Sequence, residues 1–366
     1  MKILHIIPSL HGGGAEKFAI DICNELSKGD EVVVCSMYKV TKDMFMVKSL
    51  HENIKLVTLD KRLGFSPSMF IKVYKTIKAE KPDVVNTHMN AFFYSSLAII
   101  FSKIRFFHTV HNLAKSETRK TYRRIYKIFF NFFGATPVAI SEKVLKSIQE
   151  EYGKNFTLLI ENGVKKPILS NHYEETRKLV NSYKLNDETK VFLTIGRISP
   201  QKNQKMLIEV FNKLINKGEN IVLLIIGDAS DENTRVLKEE LLTLSKEKVH
   251  FLGLQEHVSD FLACSDAFCL SSLYEGLPIT LLESLAMGVV PICTPAGGIV
   301  DVVNNEIGLL SKDFSSVSYS TQIETFLRLS STKREELELN CKVLFEEQYD
   351  ISKTSMQYLS AYKESF

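Results

Sequence analysis

The residues best equipped for chemistry lie in two loops far apart in the chain. The first is Gly196-Arg197-Ile198-Ser199-Pro200-Gln201-Lys202-Asn203, directly after an apolar run at 190–195. A glycine there lets the backbone turn tightly as it leaves a strand. Arg197 and Lys202 then set two cations in a loop that opens a helix near Asn203. A guanidinium fork matches phosphate oxygens, and an ammonium supplies a compact point charge. The plain alternative is a solvated loop that happens to be basic.

The second is Tyr274-Glu275-Gly276-Leu277-Pro278-Ile279-Thr280-Leu281-Leu282-Glu283, after an apolar run at 267–270. A helix beginning near Ile279 offers free backbone N–H groups to phosphate or sugar oxygens. Glu283, about one turn in, can accept paired hydrogen bonds from vicinal ribose hydroxyls. It can equally be read as a helix-surface glutamate, but its neighbours Leu281, Leu282 and Leu285 predict a largely buried helix, and a buried carboxylate needs partners. A third group is His111, just past the run 105–110, with His108 three residues earlier. Either histidine can be structural. Strand ends are where ligands of a doubly wound sheet bind, which favours His111. No Asp-x-Asp triplet occurs in the chain, which argues against a metal-bridged diphosphate.

These loops need strands to aim them. Apolar runs at 3–7, 31–37, 54–59, 83–87, 105–110, 136–140 and 157–160 alternate with amphipathic stretches such as 15–28 and 68–81. The scheme repeats at 190–195, 221–226, 249–252, 267–270 and 289–293. Near-continuous apolar strands separated by helices predict parallel sheets covered on both faces. The expected fold is therefore α/β, two successive Rossmann-like doubly wound units. Asn162-Gly163, Pro167 and the polar run 170–175 read as linker. Domains are expected at 1–168 and 169–350, with a helical tail at 351–366 returning toward the first domain.

The 366 residues suit two domains. A hydrophobic share of 45% and a charged share of 24% place the chain among globular proteins rather than disordered ones. The longest apolar stretch, 91–101, is too short to cross a bilayer, and the start reads as a first strand rather than a signal peptide. The six cysteines form no Cys-x-x-Cys pair, so they read as small core residues in a reducing, cytoplasmic setting. Residues 1–170 hold 26 Lys+Arg against 15 Asp+Glu, a net of +11, whereas the remainder carries −8. A basic half points to an anionic partner. Nucleic acid is disfavoured, because no recognition motif accompanies the charge. The segment 119–133 separates on a helical wheel into Arg119, Lys120, Arg123, Arg124 and Lys127 on one face. Tyr122, Ile125, Tyr126, Phe129, Phe132 and Phe133 form the other. It reads either as a sheet-covering helix with a solvated basic face or as a peripheral contact with the anionic inner face of a membrane.

Glutamate, seven residues, then glutamate, preceded by Gly-Arg and Lys, resembles the signature of retaining GT-B glycosyltransferases of family 4. Gly12-Gly13-Gly14-Ala15-Glu16 after the first run is similar to that family's N-terminal glycine loop. Thr109-Val110-His111-Asn112 is similar to its strand-end histidine, and Glu161-Asn162-Gly163-Val164 to the close of its first domain. The resemblance implies two domains facing across a cleft and a nucleotide-sugar donor used as substrate, with no cofactor and no metal. It implies a glycan or lipid-linked glycan acceptor, and a role in bacterial surface polysaccharide biosynthesis.

It further implies that Arg197 and Lys202 hold the donor diphosphate. Glu275 with the backbone of Gly276, Leu277, Pro278 and Ile279 would position the sugar, and Glu283 would bind the ribose. Gly196 belongs to the same donor loop. Main-chain atoms near Gly253 and Val258 would meet the base, and His111 the sugar or β-phosphate. Gly12, Gly13 and Gly14 would let a helix N-terminus approach the acceptor or a phosphate. A dinucleotide reading of the triple glycine fails, because Lys17 stands where a third glycine is needed. Two other readings stay open: a nucleotide-sugar epimerase or hydrolase on the same fold, and a non-catalytic sugar-binding relative.

Overall fold

The computed structural model describes residues 1–41, 44–153 and 157–364. The chain forms two compact units, Met1–Lys165 with Tyr349–Phe366, and Lys166–Gln348. The division comes three residues before the expected 168, and the return to the first unit begins at Tyr349.

Unit 1 holds β1 (Lys2–Ile7), β2 (Glu31–Ser36), β3 (Lys55–Thr58), β4 (Val84–His88), β5 (Arg105–Val110), β6 (Thr136–Ala139) and β7 (Leu158–Leu159). They pair in the order β3-β2-β1-β4-β5-β6-β7, every ladder parallel. Unit 2 holds β8 (Lys190–Ile195), β9 (Ile221–Ile226), β10 (Val249–Gly253), β11 (Ala267–Leu270), β12 (Val290–Cys293) and β13 (Leu309–Leu310). Their order is β10-β9-β8-β11-β12-β13, again all parallel. Strand order reverses beside β1 and β4 in one unit and beside β8 and β11 in the other. At such a switch point two neighbouring loops diverge and leave room for a ligand.

The burial pattern explains why these runs form strands. Every residue of β9 is buried, as a strand covered on both faces requires. The Gln204–Asn216 helix buries Met206, Leu207, Val210, Phe211 and Leu214, an apolar stripe at helical spacing. Each such side chain contributes about 1.5–3 kcal/mol on burial. All six cysteines are free thiols, five of them buried. Among the described residues no helix is long and apolar enough to cross a membrane; residues 91–101 form two short helices, Ala91–Tyr94 and Ser96–Phe101.

Two expectations change, and one strand is added. The polar run 170–175 is not simple linker, since Tyr173 opens a helix to Ser182 that buries Thr176 and Val180. Buried Asp260 accepts the Ser170 N–H at 2.9 Å and the Ser170 hydroxyl, pinning that turn to unit 2. The two-residue strand β13 is too short to leave a sequence pattern. In the Lys120–Phe132 helix, Tyr126, Phe129 and Phe130 are buried, whereas Phe132 is 80% exposed and Phe133 44%. Phe132 sits more than a quarter-turn round the helix from the buried face. Arg123 also leaves the expected basic face, since its Nε pairs with Glu151 at 3.3 Å.

The C-terminal helix, Ile351–Glu364, packs in unit 1; residues 365 and 366 lie outside the described residues. Its Tyr358 and Tyr362 are fully buried. Asn86 Nδ2 donates to the Tyr362 hydroxyl at 2.9 Å, and Thr109 and Tyr358 share a hydroxyl bond of 2.9 Å. Arg105 donates to the Tyr362 carbonyl at 2.9 Å. A polar strip on β4 and β5, where the Thr109 hydroxyl also donates to Asn86 Oδ1 at 3.2 Å, thus completes its hydrogen bonds when this helix is in place.

Candidate functional site

In unit 2 the switch point brings the two chemical loops together. The turn after β8 runs into a short 3-10 segment, Pro200–Lys202. Asn203 then takes a left-handed conformation, φ 50°, which asparagine tolerates better than most side chains. That reversal sends the Lys202 side chain back across Gly196, where a Cβ would lie 3.1 Å from Lys202 Cε. Lys202 Nζ reaches Glu275 Oε1 at 2.7 Å, across 73 residues of sequence. Gln201 Nε2 donates to Glu275 Oε2 at 3.4 Å and to the Tyr274 carbonyl at 2.8 Å. The Ser271 hydroxyl donates to the Lys202 carbonyl at 2.8 Å, and Leu273 N–H to the Gln201 carbonyl at 2.8 Å. The two loops therefore form one hydrogen-bonded body.

The pair is set deep, with side-chain exposure of 20% for Lys202 and 9% for Glu275. An ammonium has three N–H donors, so Lys202 keeps capacity for an anion after pairing. Arg197 is exposed, and among the described residues its guanidinium has no partner. Its carbonyl is tied down by Gln204 Nε2 at 2.9 Å, so an exposed side chain stands on a fixed backbone. Glu275 is tied from the far side as well. Gly298 N–H donates to the Gly276 carbonyl at 2.7 Å, and Gly297, at φ +55°, has no room for a Cβ, which would fall 1.7 Å from the Glu275 carbonyl oxygen.

The helix Ile279–Met287 starts after Pro278. Leu281 and Leu282 turn their N–H groups onto the Pro278 carbonyl, while those of Ile279 and Thr280 have no partner among the described residues. Gly276, Leu277, Pro278 and Ile279 are all buried, and Glu283 is 9% exposed; it is not a helix-surface residue. Gly253 ends β10 at φ +67°, its carbonyl accepting the Gly227 N–H at 2.8 Å. Val258 begins a short helix, Val258–Ala263.

In unit 1 the glycine loop follows β1, and Gly14 opens a helix to Leu26. Glu16 bends back over that helix start. Its Oε1 accepts from the Ser9 hydroxyl at 3.1 Å, and its Oε2 would lie 2.5 Å from a Cβ at Gly13. An anion approaching Gly12, Gly13 and Gly14 must displace this carboxylate. His111, one residue past β5, is partly buried, and its backbone N–H donates to Glu117 Oε1 at 3.0 Å. His111 Nε2 lies 2.9 Å from His88 Nδ1, and His88 Nε2 lies 3.0 Å from His5 Nδ1. Burial pushes His111 and His5 down to about 3, with His108 adding to the effect at His111. His88 is held well below the ordinary range, first by burial and then by the histidines around it. His108 takes the structural role, its Nδ1 3.1 Å from the Thr87 carbonyl and its ring stacked on Phe92.

The comparisons with known proteins coincide with this division. Residues 175–342 match the model described as "Glycosyl transferases group 1", and residues 12–166 match "Glycosyltransferase Family 4". The chain belongs to the group 1, family 4 glycosyltransferases. It is 27% identical over 348 residues to an alpha-1,4-N-acetyl-D-galactosaminyltransferase of Campylobacter jejuni acting on a PP-undecaprenol-linked glycan, covering 92% of this chain and 91% of that protein. It is 29% identical over 285 residues to a UDP-Gal:alpha-D-GlcNAc-diphosphoundecaprenol alpha-1,3-galactosyltransferase of Escherichia coli, covering 72% and 68%. Among solved structures, Anabaena HepE in complex with UDP and glucose aligns over 100% of both chains, with a TM-score of 0.84 at 19% identity. The fold of this glycosyltransferase is thus of the GT-B class.

The fold also adds residues to those its sequence singled out. Gln201 braces Glu275, Glu117 fixes the His111 backbone, and His88 and His5 extend behind the His111 ring. A signal was present in the chain for His5, a polar residue among the apolar residues 3–7; His88 closes a strand that already carries Asn86 and Thr87, and nothing local marks it.

Proposed function

We propose that this glycosyltransferase moves a sugar, with retention of anomeric configuration and without a metal, from a uridine-diphosphate donor to a lipid-linked glycan in bacterial surface polysaccharide assembly. The observation that carries the reading is the Lys202–Glu275 pair beside the unpartnered Arg197 at the end of the unit 2 sheet. When the bond from sugar C1 to the β-phosphate oxygen breaks, the electron pair stays on the phosphate. Arg197, the spare donors of Lys202 and the N–H groups of Ile279 and Thr280 offset that charge. The acceptor hydroxyl oxygen then bonds to C1 on the same face, and its proton passes to the leaving phosphate. Glu275 is a poor candidate for a nucleophile here, because both its oxygens already accept hydrogen bonds. The buried carboxylate of Glu283 is assigned to the ribose hydroxyls. The uridine base is supported by the E. coli relative and the HepE complex.

Lipid linkage agrees with the surface of the Lys120–Phe132 helix. Ile128 is 48% and Phe132 80% exposed, and they flank exposed Lys120, Arg124 and Lys127. Apolar groups bordered by cations suit the anionic inner face of a cell membrane. The buried face covers the sheet while a different arc meets lipid, so the two roles do not compete.

Calorimetry with UDP-, GDP-, ADP-, dTDP- and CMP-sugars tests the donor assignment. UDP-sugars are expected to bind, and Glu283→Ala to weaken them by about tenfold or more. Binding of another nucleotide class alone would sink the uridine assignment. Transfer activity is expected to persist in a strong chelator; loss restored by magnesium would overturn the metal-free reading.

A further inference from the structure

The three histidines His5, His88 and His111 form a continuous column on one face of the unit 1 sheet. His5 lies in β1 and His88 ends β4, and these strands are direct neighbours at the switch point. His111 follows β5, the next strand along. The rings stand edge to edge and close to parallel, His5 and His88 with centroids 5.3 Å apart at 23° and His88 and His111 5.2 Å apart at 29°. Phe18 closes the side of the column with its edge toward His88 and His111. His5 and His88 are fully buried. No set of three metal-ligating side chains occurs among the described residues: the ring nitrogens here point at one another.

A column of neutral imidazoles has only two self-consistent proton arrangements. Each ring carries one N–H and one lone pair, and the middle ring must donate at one nitrogen and accept at the other. In the first arrangement His5 Nδ1–H donates to His88 Nε2, and His88 Nδ1–H donates to His111 Nε2. The remaining N–H then sits on His111 Nδ1. In the second, every bond reverses, and the remaining N–H sits on His5 Nε2. That atom is buried and has no hydrogen-bond partner among the described residues. Buried N–H groups without an acceptor are the rarer and costlier kind of orphan. The first arrangement leaves only a lone pair there and moves the N–H to the ring at the strand end.

We propose that His5 and His88 are positioning residues that lock His111 as its Nδ1–H tautomer, making it a fixed, neutral hydrogen-bond donor to an oxygen of a substrate bound at the unit 1 switch point. The proposal rests on the glycosyltransferase function proposed above. It separates two uses of such a column. A proton wire needs a ring that charges readily. Burial keeps all three neutral here, with the surrounding histidines adding to the effect at His88 and His108 adding to it at His111, so the column orients a proton rather than carrying one away. Glu117, accepting the His111 backbone N–H, fixes the other half of the same residue.

The tautomer is directly observable. Long-range proton–nitrogen correlation spectra of protein labelled with nitrogen-15 histidine distinguish the Nδ1–H form, which is the minor one for free histidine. His111→Gln assigns the signal among the nine histidines of the chain. The expected result is His111 protonated at Nδ1 in the wild type, with mixed tautomers in His88→Leu. His111 protonated at Nε2 in the wild type, or a tautomer unmoved by His88→Leu, would overturn the proposal.

Kinetics give the second reading. His88→Leu is expected to lower kcat by about tenfold with the donor KM little changed, the scale of one hydrogen bond. His88→Gln keeps one donor and one acceptor at that position and is expected to recover most of the rate. Equal loss in both variants with folding intact would show a merely structural histidine. The spectra do not depend on turnover, so a failure of the proposed transfer function appears as absent nucleotide-sugar binding, while a failure of the lock appears as the wrong tautomer.

Discussion

Unit 1 and unit 2 share a parallel, doubly wound plan with a reversal of strand order beside the first strand of each. They use that reversal in opposite electrostatic ways. Unit 2 spends its switch point on charge: Arg197 in solvent, and Lys202 paired with Glu275. Unit 1 fills the same place with neutral imidazoles buried behind His111. The difference follows from where the polar groups sit. Those of unit 2 lie in loops past the strand ends, with Arg197 in solvent and Lys202 beside a salt partner. His5 and His88 lie within strands, where charging a ring would place it in the sheet's interior. One architecture can therefore present a charge clamp or an uncharged donor according to whether the polar residue stands inside or beyond the strand.

The sharpest break in this comparison comes from removing the clamp. Arg197→Ala and Lys202→Ala are each expected to lower kcat by about 100-fold or more, the scale of losing a charged transition-state contact. Thermal stability should change little for Arg197→Ala, because exposed cations contribute little to folding. A wild-type rate in either variant would remove the diphosphate assignment.

Acid separates the two units next. His5 and His111 have folded values near 3 against an ordinary 6.5, so between those limits the unfolded chain binds more protons. Stability then falls as the pH drops from about 6.5, by about 1.4 kcal/mol per pH unit for each such histidine. His88 adds in the same sense. In unit 2, Asp228 is held low by Lys238, so its contribution persists until the pH enters the carboxylate range. Half-buried His250 gives a weaker echo of the unit 1 effect. Calorimetric scans from pH 7 to pH 4 are expected to show the unit 1 transition moving down first. Parallel movement of both transitions would mean that the histidine column does not set unit 1's acid response.

The smallest expected effect tests the basic surface of unit 1. Changing Arg124 and Lys127 to Glu should weaken binding to anionic vesicles several-fold, as removal and reversal of surface charges near lipid would, and high salt should do the same. Arg123 is the internal control, since its ion pair with Glu151 commits it to the fold. Unchanged binding in the double variant at low salt would remove the membrane contact.

Much of this was readable from the chain, for reasons that differ by element. Strand β9 is a continuous apolar run, and its limits match the sequence reading because both its faces are covered. The positions of Gly196, Arg197, Lys202 and Glu275 in loops past strand ends were legible because turn chemistry depends on local types and order. Phe132 misled the helical wheel because amphipathicity ranks faces without saying how wide the covered arc is; Phe92 and its neighbours settle that width. The helix from Tyr173 was hidden because its first turn is polar enough to pass for linker.

The sequence alone determined two doubly wound units, the cations after β8, the carboxylates around the Ile279 helix and a histidine at the end of β5, since hydrophobic periodicity and turn chemistry are local. Only the tertiary structure decided that Lys202 meets Glu275 and that His5 and His88 stand in line behind His111. Those contacts depend on strand order, and strand order depends on which sheets and helices bury the most surface together, a property of the whole chain that no short stretch of residues carries.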